Sequence, residues 1–127
     1  RFASATYDPS SQFRAAKVVE FFQEQGLTPD VLREQYKAQV GLLRERFLSK
    51  NFDHSIIKLT HEEPLEKNGG FLSLTSPHAR DIRARLLDNG VFTDARGEIL
   101  RFGPAPYITT SQIEQAIDQL ENVIKEL

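Results

Sequence analysis

The stretch Asn89-Gly90-Val91-Phe92-Thr93-Asp94-Ala95-Arg96-Gly97-Glu98-Ile99-Leu100-Arg101-Phe102-Gly103-Pro104-Ala105-Pro106 decides the fold. Asn-Gly stops the helix that precedes it. Val91–Thr93 and Glu98–Phe102 then read as two strands around Asp94-Ala95-Arg96-Gly97, a turn of hairpin length. Gly103-Pro104-Ala105-Pro106 ends regular structure, since proline has no N–H to offer a ladder.

Upstream, Ser76-Pro77 starts a helix that runs to Asp88. Ala79, Ile82 and Leu86 form its inner face, and Arg80, Arg83 and Arg85 lie mostly outside. Before it, Phe71–Thr75 reads as a strand opened by Gly69-Gly70. His61–Asn68 reads as an acidic loop, and Ser55–Thr60 as a short strand carrying Ile56, Ile57 and Leu59. Downstream, Ser111-Gln112-Ile113-Glu114 has capping-box spacing, in which each side chain satisfies the other's free backbone N–H. Ile113, Ala116, Ile117, Leu120, Ile124 and Leu127 follow as one apolar stripe.

Two helices precede these elements. The first spans Gln12–Gln25, capped by Ser10 or Ser11, and carries Phe13, Val18, Val19, Phe21 and Phe22 around a broad arc. Such breadth calls for cover on more than one side, as a core helix or at an interface. The second starts at Thr28-Pro29, a cap followed by proline at the first helical position. It runs to about Ser49, with Leu32, Tyr36, Val40, Leu43 and Phe47 at helical spacing. Gly41 inside it costs about 1 kcal/mol relative to alanine and lets a neighbour approach closely. The predicted fold is α+β: two N-terminal helices, then a small, mainly antiparallel sheet with helices on one face.

The chain has 127 residues, 39% hydrophobic and 27% charged, a soluble globular balance. Sixteen basic against 18 acidic side chains give a net charge of −2, so no global field draws it to nucleic acid or an anionic membrane. No apolar run approaches the roughly 20 residues of a membrane helix. With no cysteine, disulfides, thiolate metal sites and cysteine nucleophiles are excluded from this chain. The lack of methionine and the start at Arg1-Phe2 read as a cut piece of a longer protein, and no signal peptide is visible. The expected compartment is the cytoplasm.

His54, His61 and His78 follow no ligand spacing and read as surface side chains, so no metal site is expected. The informative segment is Leu100-Arg101-Phe102-Gly103-Pro104-Ala105-Pro106-Tyr107, which sets an arginine on a strand and follows it with a stiff loop. A guanidinium presents a rigid fork that matches a carboxylate in two parallel hydrogen bonds. A surface salt bridge is the competing reading of Arg101.

The segment also resembles a family. Arg101-Phe102-Gly103-Pro104-Ala105-Pro106-Tyr107, preceded by Gly70-Phe71-Leu72-Ser73-Leu74, Asn89-Gly90-Val91 and Thr93-Asp94-Ala95-Arg96-Gly97, is similar to the small C-terminal domain of fold-type I pyridoxal-phosphate enzymes of the class V aminotransferase group. It is most similar to kynureninases. Arg1-Phe2-Ala3-Ser4-Ala5-Thr6 resembles the segment where these enzymes leave their large domain. The resemblance implies that residues 1–50 lead from a missing large domain and that 51–127 form the small one. It implies that Arg101 clamps the α-carboxylate of an amino-acid substrate. Thr6 would reach the phosphate of pyridoxal 5'-phosphate held by the neighbouring subunit of a homodimer. Where the family commonly has Gly-Thr, this chain has Ala5-Thr6, and alanine restricts the backbone there.

The Schiff-base lysine of the family lies upstream of the matched segment. Lys17, Lys37, Lys50, Lys58, Lys67 and Lys125 all stand in polar, helix-surface or loop contexts, so the chain alone is not expected to catalyse. The implied reaction is hydrolysis of a kynurenine-type amino acid to alanine and an aromatic acid. The alternatives are a class V aminotransferase acting on another amino acid, or a non-catalytic module that binds an amino acid or dimerises. Cysteine desulfurases need a cysteine in the loop after the arginine, and this chain has none.

Overall fold

The computed structural model describes residues 8–127. The elements are α1 (Ser10–Glu24), α2 (Pro29–Ser49), β1 (Lys58–Leu59), β2 (Leu72–Thr75), α3 (Ala79–Asp88), β3 (Asp94–Arg96), β4 (Ile99–Phe102) and α4 (Thr110–Lys125), with a 3₁₀ turn at Leu65–Lys67. One compact unit ends at Leu32 and the other runs Arg33–Leu127. Among the described residues no helix is long and apolar enough to cross a membrane.

In the first unit α1 begins without a serine cap. Pro9 holds the cap position, and Asp8 Oδ1 accepts from Ser10 N at 2.9 Å. The hydroxyl and N–H of Ser10 hold the Asp8 carboxyl below its ordinary pKa. Gly26, at φ +66°, turns the chain out of the helix, and Leu27 N closes back on Phe22 O at 2.8 Å. No residue of α1 is buried, and Phe13 is 69% exposed, which corrects the core-helix reading. At the start of α2, Thr28 Oγ1 accepts from Val31 N at 3.3 Å, as the Thr-Pro pair predicts.

The second unit is built on a four-stranded sheet in the order β1-β2-β4-β3, antiparallel throughout. Successive strand side chains point to opposite faces. Leu72 pairs with Phe102 and Leu74 with Leu100, and all four are buried. They join Val40, Leu43 and Phe47 of α2, Ile82 and Leu86 of α3, and Ile113, Ile117 and Leu120 of α4 in one cluster. The helices therefore cover one face of the sheet, and the α+β expectation holds. Fully burying each such aliphatic side chain contributes about 1.5–3 kcal/mol.

Local chemistry moves several predicted boundaries. Asn89-Gly90 does stop α3, but Val91 N is used in that stop, donating to Leu86 O at 2.8 Å with Gly90 at φ +78°. Val91–Thr93 is therefore not a strand. Strand β3 takes Asp94–Arg96 instead, and the hairpin loop is the two residues Gly97-Glu98. Gly97 adopts φ +59°, which suits a two-residue hairpin turn with glycine first. Ser55–Ile57 is wound into a turn by Asp53, whose carbonyl accepts from Ile56 N and Ile57 N, both at 3.0 Å, so only Lys58–Leu59 pairs with β2. Helix α3 starts at Ala79 after a turn in which Ser76 Oγ accepts from His78 N. The capping box of α4 belongs to Thr109 and Gln112, two residues earlier than predicted. On α4 Val123 is buried, while Leu127, two residues past the helix end, is exposed. Gly41 does receive a close neighbour: a Cβ there would stand 3.1 Å from Leu65 Cδ1 of the 3₁₀ turn.

The residue that follows α2 is tied to α4 by ion pairs. Lys50 Nζ lies 2.7 Å from Asp118 and 2.6 Å from Glu121, and Glu121 also meets Lys125 at 2.7 Å. Held by Lys125 and then Lys50, the Glu121 carboxyl is lowered to about 2. Asp118 and then Glu121 raise the Lys50 ammonium above its ordinary value.

Candidate functional site

Because Leu100 and Phe102 enter the core, the residue between them must face the other way. Arg101 therefore stands on the sheet face that no helix core covers, in the middle of β4. The same register brings Ser73 of β2 and Asp94 of β3 opposite it on either side. Arg101 Nη2 donates to Asp94 Oδ2, and Arg96 Nε donates to the same oxygen at 3.2 Å. The Arg101 guanidinium carbon lies 5.2 Å from the centre of the Phe71 ring, within cation–π range. Its side chain is 25% exposed, so the group is shielded on some sides and open on others. The salt-bridge reading of Arg101 is met, and the side chain keeps partial access to solvent.

The loop after Arg101 is pinned from a distance. Gln39 of α2, only 8% exposed, donates Nε2 to Ala105 O at 3.0 Å and to Ile108 O at 2.9 Å. One turn earlier, Gln35 Nε2 donates to Pro106 O. Gly103 passes close to Phe71: a Cβ there would stand 3.6 Å from the Phe71 Cβ. Helix α2 thereby fixes the geometry on the far side of the arginine, and the prolines reduce what freedom remains.

A polar cleft of about 290 Å³ adjoins the open face, lined by His61, Glu63, Lys67, Asn68, Phe71 and Ser73. A larger groove of about 580 Å³, lined by Val91, Phe92, Pro104 and Tyr107 among others, runs between the hairpin, its following loop and α4. Tyr107, the end of the matched motif, is 83% exposed.

Of the two sequence-predicted site residues, Arg101 is described and Thr6 lies outside the described residues. His54, His61 and His78 are all exposed, and among the described residues no three metal-ligating side chains come together. Lys37 and Lys50 are partly buried but ion-paired to carboxylates, and Lys17, Lys58, Lys67 and Lys125 are exposed. The raised pKa of Lys50 is the reverse of what a nucleophilic amine needs. Sequence reasoning missed Phe71, Gln39 and the partnership of Asp94. Only the last had a signal: once Gly97-Glu98 is taken as the loop, counting back along the ladder sets Asp94 against Arg101.

The family model described as kynureninase C-terminal domain matches residues 32–120. A kynureninase of Deinococcus radiodurans is 32% identical over 100 residues, covering 69% of this chain and 24% of that protein. The chain spans about a quarter of the length of this curated relative. Among solved structures, a NIFS-like protein superposes with a TM-score of 0.62 at 13% identity, covering 77% of this chain and 29% of its own. An omega transaminase from Pseudomonas jessenii in complex with PMP gives 0.61 at 14% identity, over 84% of this chain and 24% of its own. These structural likenesses show a shared fold, that of fold-type I pyridoxal-phosphate enzymes.

Proposed function

The chain belongs to the kynureninase C-terminal domain family, and on that premise we propose that it is the small domain of a pyridoxal-phosphate-dependent, kynureninase-like hydrolase. The reaction is hydrolytic cleavage of a kynurenine-type amino acid to alanine and an aromatic acid. The observation that carries the proposal is Arg101, mounted mid-strand on the open sheet face with a pinned loop behind it.

In this reading Arg101 binds the α-carboxylate of the substrate through its fork and fixes how the amino acid is turned. The pinned Gly103–Pro106 loop keeps the arginine from drifting, so little order has to be created on binding. The cofactor, when bound in the longer enzyme, supplies the electron sink. In this reading the large domain would hold it, residues 1–50 would lead from that domain to the small one, and Thr6 would supply a group to its phosphate across a homodimer. The isolated chain then has no activity, and the enzyme works in the cytoplasm.

Replacing Arg101 by alanine in the full-length enzyme tests this. Loss of a charge-assisted pair costs about 1.5–3 kcal/mol, so kcat/KM should fall roughly ten- to a hundredfold. Unchanged kcat/KM removes Arg101 from the site. The transaminase neighbours favour a second reading, an aminotransferase of another amino acid. Assay of the full-length enzyme with and without a 2-oxo acid separates the two, since only a transaminase needs the acceptor to turn over. A free-standing amino-acid-binding module would instead show saturable heat when amino acids are titrated into the 127-residue chain.

A further inference from the structure

Arg101 does not stand free on its face. Asp94 lies directly across the β3–β4 ladder from it and takes one hydrogen of Nη2 through a single oxygen. Phe71 lies beneath the guanidinium at 5.2 Å. Nη2 carries two hydrogens, and among the described residues no other protein group accepts from Arg101. One bidentate edge of the fork therefore stays open. Asp94 Oδ2 is itself shared with Arg96 at 3.2 Å, so its charge is divided between two cations and Asp94 meets Arg101 through that one oxygen.

We propose that Asp94 is a positioning residue, which holds Arg101 by one nitrogen so that the open edge of the guanidinium meets an incoming substrate carboxylate. The proposal rests on the reading of Arg101 given above. An unbraced arginine has to be ordered at the moment of binding, and the brace removes that cost in advance. Asp94 touches no substrate and acts only through Arg101.

The test uses the full-length enzyme with D94A, D94N and R101A, and the D94A/R101A pair. D94A should raise KM about three- to tenfold, the range expected for one long side chain left unordered, with kcat changed less than about twofold. D94N keeps an acceptor oxygen and should fall between D94A and the parent. In the R101A background D94A should add nothing to KM. A lower KM in D94A would mean that Asp94 competes with substrate, and the proposal is overturned. An equal KM effect with and without Arg101 overturns it too, by showing a general structural role. If R101A is fully active, the carboxylate reading itself fails; if R101A is impaired while D94A and D94N both keep the parental KM, only the positioning role fails.

Discussion

Replacing Gln39 by leucine should loosen the loop behind Arg101 and lower the stability of the second unit together. Gln39 is the buried α2 residue whose amide nitrogen serves two carbonyls, Ala105 O and Ile108 O, some 66 and 69 positions away. Each neutral hydrogen bond contributes about 0.5–1.5 kcal/mol net, so losing both costs about 1–3 kcal/mol. Leucine fills a similar volume, so the loss is not a cavity effect. For a unit of this size, 1 kcal/mol moves Tm by about 4–8 °C, which puts the expected drop for a 2 kcal/mol loss at about 8–16 °C. Thermal unfolding of the 127-residue chain followed by circular dichroism measures it. Hydrogen exchange should show faster opening at Ile108 N, which donates to Ala105 O at 2.9 Å. A Tm within about 2 °C of the parent, with unchanged exchange at Ile108, would refute the pinning argument.

Three further outcomes are expected of the second unit. Because Glu121 is lowered to about 2 from an ordinary 4.5, its contribution to stability is complete above pH 4.5 and drains away as pH falls toward 2; E121Q should flatten that acid limb in pH-dependent urea melts. Leu100, wholly buried opposite Leu74, should cost about 2–5 kcal/mol as alanine, measured by urea unfolding. Gly97→Ala should cost about 1–2 kcal/mol by the same assay, since the backbone is left-handed there and a Cβ would touch nothing within 4 Å.

Much of this fold was legible because helical periodicity survives burial. Val40, Leu43 and Phe47, or Ala79, Ile82 and Leu86, sit inside as their spacing predicts. The hairpin was legible in kind but not in register, because Val91 N is diverted to Leu86 O by the glycine stop of α3. The cap of α4 was ambiguous for a different reason. Thr109 with Gln112 and Ser111 with Glu114 share one spacing, and the turn closed by Ile108 N on Ala105 O delivers Thr109 in extended backbone at the helix mouth. Arg101 stood out by its chemistry. Gln39 did not, since nothing local in a polar helix position announces a carbonyl 66 residues away.

The alternation of β4 carries a genetic consequence. Leu100 and Phe102 build the interior while Arg101 builds the exterior, so a single inserted or deleted codon between Gly97 and Phe102 would exchange the two sets at a stroke. Frame-preserving length changes in this strand cannot alter the exposed face without disturbing the interior, or the reverse. Point substitutions at Ser73, Asp94 or Arg101 can, because none of these side chains is rooted in the interior. Diversification of the exposed face should therefore proceed by exchange of residues on every second position, with strand length held constant.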